Sequence, residues 1–154
     1  MAYDAFLKID GIDGESQDKV HKGEIEIDSF SWGVTNTGSI SGGGGGGAGK
    51  AVAQDFHFTS GLSKASPILM LACATGRHSQ SATLTLRKNN VEFLKIKLTD
   101  VLVSSYQTGG SSHGDGDAPE DQFSLSFVKI DCLYTVRSTG ETVETSFDSS
   151  PIGT

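Results

Sequence analysis

Three stretches of this chain carry apolar stripes that start on one parity and finish on the other, and this constrains the fold more than any motif does. In EIEIDSFSWGV, Ile25 and Ile27 share a parity, after which the apolar set moves to Phe30, Trp32 and Val34. In FLKIKLTDVLVSSY, Leu94, Ile96 and Leu98 give way to Val101 and Val103. In FSLSFVKIDCLYTV, Phe123, Leu125 and Phe127 yield to Val128, Ile130, Cys132, Tyr134 and Val136. Side chains on a strand alternate between its two faces, so a change of parity needs a bulge, a sharp bend or cover on both faces. Long strands that all do this curl from one sheet into another, which is how antiparallel barrels and orthogonal sandwiches turn their corners.

The remaining alternation fits the same plan. YDAFLKID reads as a half-buried strand with Tyr3, Ala5, Leu7 and Ile9 on one face and Asp4, Lys8 and Asp10 alternating with them. Phe56 and Phe58 point inward from VAQDFHFT, Ala82, Leu84 and Leu86 from SATLTLRK, and Val143, Thr145 and Phe147 share one side of ETVETSFD. One helix is expected over SPILMLACATG, with Ser66 as N-cap, Pro67 in the first turn and Gly76 as a left-handed stop. Residues 68–74 are apolar on every side, so this helix must be covered all round, by the sheet on one flank and by a loop or a neighbouring subunit on another. Ile68, Leu69, Met70 and Leu71 are assigned to subunit packing on that ground.

The length of 154 residues, at 16.1 kDa, suits one domain with a real core, spanning residues 1–154. A net charge of −7 and the lack of a basic stripe argue against nucleic acid, whose phosphates repel an acidic surface. The N-terminus has acids among its apolar residues, so no secretory signal peptide is expected, and the longest apolar run, PILMLACA, falls far short of the ~20 residues that span a bilayer. The expectation is therefore synthesis in the cytoplasm, no membrane insertion, and export only by a route that reads no cleavable peptide. Cys73 and Cys132, each among apolar neighbours, read as small buried hydrophobes.

Chemical motifs are matched only superficially. GGGGGGAGKA, residues 42–51, places Gly44, Gly49 and Lys50 as a phosphate loop would, but Ala51 stands where the metal-binding hydroxyl belongs, and a strand pattern follows where a helix must. A glycine-rich connection between strands is the better reading. DGDAPED lacks calcium-loop spacing, because Pro119 falls at the third ligand position. His21, His57, His78 and His113 are isolated, and no G-x-S-x-G elbow occurs. No cofactor, metal or catalytic residue is assigned, and the chain is not expected to be an enzyme.

Several segments together resemble the haemolysin-coregulated protein (Hcp) family of the bacterial type VI secretion system. They are AYDAFLKIDGIDGES, SFSWG, GGGGAGK followed by QDFHFT, KASPILMLACATGRH, LTLRK, EFLKIKLTDVLVSSYQTGG and EDQFSLSFVKIDCLYT, in order over nearly the whole chain. The departure at Pro119, Glu120 and Asp121 from the usual Pro-Thr-Glu touches only a local turn. The resemblance implies a mainly β fold, a closed antiparallel β-barrel of two curled sheets with one short flanking helix and long inter-strand loops. It also implies six copies in a ring around a wide pore, and rings stacked into a hollow tube similar to a phage tail tube. The tube would be driven by a contractile sheath, tipped by a spike protein, and would carry small effector proteins in its lumen while being itself secreted.

Two residue-level expectations follow. Gly42, Gly43, Gly44, Gly45, Gly46, Gly47 and Lys50 belong to a loop that reaches the adjacent ring. Ser29 and Ser31, alternating with Phe30, Trp32 and Val34, face away from the core and line the lumen with small hydroxyls. Two other readings are a phage-type tail tube subunit, which is physically the same machine, and a soluble β-sandwich hydrolase, which rests only on scattered Ser, His and Asp.

Overall fold

The computed structural model describes residues 2–38, 50–113 and 118–148. In chain order its elements are β1 (Asp4–Ile9), β2 (Ile25–Glu26), β3 (Ser29–Ser31), β4 (Val34–Asn36), β5 (Ala51–Ala53), β6 (Phe56–Gly61), α1 (Ala65–Thr75), β7 (His78–Lys88), β8 (Val91–Gly109), β9 (Glu120–Thr135) and β10 (Thr142–Asp148). The main sheet is antiparallel along the order β2-β1-β7-β8-β9-β6-β3, with β10 added to β9, and β4 and β5 form a separate two-stranded ribbon. This sheet curls into a half-barrel around one apolar cluster that includes Leu7, Phe56, Phe58, Leu84, Leu98, Phe123 and Leu125. A two-residue turn joins β7 to β8, and its Asn89 and Asn90 take φ of 52° and 64°, the left-handed pair that such hairpin turns demand.

Two of the three expected changes of face, in β8 and near Asp28, have a local cause. In β8 the switch sits at Asp100, which adopts φ 57° between Thr99, opposite Lys129, and Val101, opposite Phe127. Leu98 and Val101 are both buried in consequence. A second shift follows at Ser104: Val103 faces Leu125 while Ser105 already faces Ser124, so Ser104 is the extra residue of a bulge. In β9, Leu125 and Ile130 both reach the core across the level of Asp100. The switch near Asp28 is a change of partner. Ile27 donates its N–H to the Ala5 carbonyl at 3.0 Å, and Asp28 donates to the Thr59 carbonyl at 2.8 Å, so the chain passes from β1 to β6 within two residues.

Strand β1 departs from simple alternation. Ala5, Phe6 and Leu7 are all buried, because residues 13–24 fold back over the outer face and cover Phe6. Tyr3, expected inward, is 44% exposed and meets Phe93 edge-on.

The helix begins two residues before the expected start, at Ala65 instead of Pro67. Lys64 occupies the cap position without a side-chain hydrogen bond, and Ser66 lies inside the first turn. The first turn is fixed otherwise: the Ala65 N–H donates to Ser63 Oγ and the Ser63 N–H to Ser66 Oγ, both at 3.1 Å. At the other end Gly76 takes φ 69° and donates its N–H to the Ala72 carbonyl, as a left-handed stop should.

Candidate functional site

Three surfaces carry the residues that the sequence singles out. The first is the outer flank of α1. Ala65, Leu69 and Ala72 are buried against the sheet, whereas Ile68, Met70 and Leu71 are 37%, 54% and 52% exposed. Leu69 must therefore leave the subunit-packing set, because at 0% exposure it belongs to the core of its own chain. The helix is anchored there by a buried acid. Asp121 accepts hydrogen bonds from Ser66 Oγ on the helix and from the Tyr106 hydroxyl at 2.8 Å. Burial, and then the Asp121 carboxylate, push the Tyr106 hydroxyl above its ordinary range, so it stays a donor.

The second surface is the face of β3, β6, β9 and β8 that turns away from the core. Ser29 and Ser31 are exposed while Phe30 and Trp32 pack toward the apolar cluster. The Ser29 and Thr59 hydroxyls are 2.6 Å apart, and with Ser31, His57, Gln107 and Gln122 they line a shallow concavity of about 390 Å³ that carries no carboxylate and no lysine or arginine. Beneath it Trp32 stacks 6.1 Å from Phe56, and its buried Nε1 finds no acceptor among the described residues.

The third surface is the β4–β5 ribbon. Val34 and Val52 are 45% and 48% exposed on it, and the exposed Lys50 leads into β5. Gly42 to Gly47 lie outside the described residues, as do Asp115 and Asp117 of the acidic stretch. The sequence pattern had no means of showing Asp121 as an anchor. The acid sits beside Glu120 in an acidic run and looks solvated until β9 pairs with both β6 and β8.

Comparison with known proteins shows the family of the chain. The profile of the family described as "Type VI secretion system effector, Hcp" matches residues 6–134. Protein hcp1 of Pseudomonas aeruginosa is 46% identical over 138 residues, covering 87% of this chain and 84% of its own length. The chain belongs to the Hcp family.

Solved structures agree with the fold. Hcp1 from Salmonella typhimurium superposes with a TM-score of 0.82 at 39% identity, covering 96% of this chain and 95% of that one. A type VI secretion system effector from Yersinia pestis gives 0.80 at 33% identity, covering 94% and 99%. Hcp proteins are structural components of the secretion system and not a family of enzymes. Cys132, which lies among core residues of β9, has its thiol pushed up by burial, which leaves it a small apolar filler.

Proposed function

We propose that this Hcp chain is a tube subunit of a type VI secretion system. Six copies form a ring, rings stack into a hollow tube, and the tube leaves the cell with effector proteins held in its lumen, behind a spike and inside a contractile sheath. What carries the reading is the conjunction of a family match over residues 6–134 with a helix flank, Ile68, Met70 and Leu71, that the chain's own fold leaves uncovered. A ring needs one face of each subunit to complement a different face of the next, and a helix flank of this kind supplies one such face. Ser29 and Ser31 face the lumen in this reading, and Lys50 with Gly42 to Gly47 reaches the neighbouring ring. In this reading the half-barrel closes near Ile27 and Asp28, and what supports it is that their backbone N–H groups donate to the Ala5 and Thr59 carbonyls, on strands at opposite ends of the sheet.

Light scattering coupled to size exclusion tests the ring. A particle of about six times 16.1 kDa supports the proposal, and a monomer at every concentration refutes it. Deleting Gly42 to Gly47 separates stacking from ring formation: rings persist and tubes shorten in electron micrographs if the loop bridges rings.

A further inference from the structure

We propose that His21 is a proton-operated latch that holds residues 13–24 closed over Phe6. The segment has a base and a tip. Its base is fixed by backbone: Gly14 N–H donates to the Gly23 carbonyl at 2.8 Å, Ser16 to Glu24 at 3.0 Å, and Gly23 to Ser16 at 2.9 Å. Gly14 is obligatory there, since a Cβ would stand 2.5 Å from the Glu24 carbonyl oxygen. The tip is held by side chains. The His21 imidazole lies 10° from parallel on the Phe6 ring at 4.5 Å, and the Arg87 guanidinium sits 4.9 Å from the same ring.

The polar contacts of His21 reveal how many protons it carries. Nδ1 is 3.0 Å from Glu24 Oε2 and Nε2 is 2.9 Å from Glu92 Oε2, with the imidazole only 7% exposed. Ionised carboxylates only accept, so both bonds exist together only when both ring nitrogens carry hydrogen. The neutral ring has a single N–H and would turn a bare nitrogen lone pair toward one carboxylate in a partly buried site. The latched state therefore binds a proton, and rising pH must weaken it.

The charged groups around the ring are otherwise balanced. On the same segment Asp18 pairs with Arg87 of β7 at 2.7 Å, and Arg87 also reaches Asp4 of β1 at 3.1 Å. Lys95 of β8 approaches Glu92 at 3.6 Å, while Glu24, at the start of the return to β2, has His21 as its ion-pair partner among the described residues. The hydrogen bond between Arg87 and Asp18 holds the Asp18 carboxyl low and the Arg87 guanidinium high, so this pair keeps its charges across the neutral range and His21 is the group whose change of charge the tip feels.

Hydrogen exchange of the intact chain, recorded with ring ¹⁵N spectra across about pH 5.5 to 9, tests this. Both His21 nitrogens should report as protonated at the acid end. Protection factors of amides 17–22, which remove the intrinsic pH dependence of exchange, should fall about tenfold as the ring loses its proton, the size of one lost charge-assisted hydrogen bond. Glu92→Gln supplies an amide that can accept from the protonated ring or donate to the neutral one, so it should keep the segment closed and flatten the pH response. His21→Gln should give the open level of protection at every pH with the β signal intact. A ring that is neutral while the segment stays protected overturns the latch, and so does a Glu92→Gln chain with the original pH response.

Discussion

Asp100 is the residue on which the face switch of β8 turns, and replacing it with valine tests the geometry directly. Its φ of 57° is left-handed, a conformation that aspartate tolerates and a β-branched residue strongly resists. Asp100→Val can respond in two ways. The strand can keep its register and bear the strain, about 1–3 kcal/mol for a non-glycine residue held there. Alternatively it can slip by one residue, which would carry Val101 and Val103, now 1% and 4% exposed, out to solvent at about 1.5–3 kcal/mol each. Slippage is the more expensive route, so the strand should strain, and the loss should be about 1–3 kcal/mol with the β signal retained. The pair between His78 and Asp100 adds little, since both side chains are more than half exposed. Asp100→Gly removes the strain while freeing the unfolded chain, and should fall within about 1 kcal/mol of the parent. Urea unfolding followed by circular dichroism, at one fixed protein concentration because assembly adds to apparent stability, gives both numbers. If valine and glycine at position 100 agree within about 0.5 kcal/mol, the left-handed residue is not what turns the stripe.

Two further outcomes separate the roles of neighbouring residues. Leu69→Ala should lower subunit stability by about 2–5 kcal/mol, whereas Met70→Ser combined with Leu71→Ser should leave the folded subunit intact and reduce the ring fraction in light scattering. The hydrogen bond from Arg87, with help from its charge, holds the Asp18 carboxyl well below the usual carboxylate range. A depressed folded value contributes stability above the unfolded one and loses it as pH falls. The urea midpoint should therefore drop below about pH 4, and Asp18→Asn should flatten part of that drop.

What was legible in the sequence was whatever depends on residues close together in the chain. Period-two stripes and their breaks place Leu98 and Val101 inward, Gly76 ends the helix, and the segments shared with Hcp proteins point to the family. The helix start differs from the expected one because the hydroxyl of Ser66, the cap that the local sequence favours, is taken by Asp121, 55 residues away, and Lys64 is left at the cap position. Phe6 is buried on the outer face of β1 because its cover arrives from a polar loop that no periodicity announces.

The sequence by itself determined that the strands must change face, since burial of one apolar stripe forbids any other register once parity breaks. Only the tertiary structure decided how the changes in β8 and near Asp28 are made, by a left-handed aspartate and an extra serine in the first and an exchange of partner strands in the second. It also decided which side chains of the apolar helix stay uncovered, because burial is a property of what packs against a residue and not of the residue.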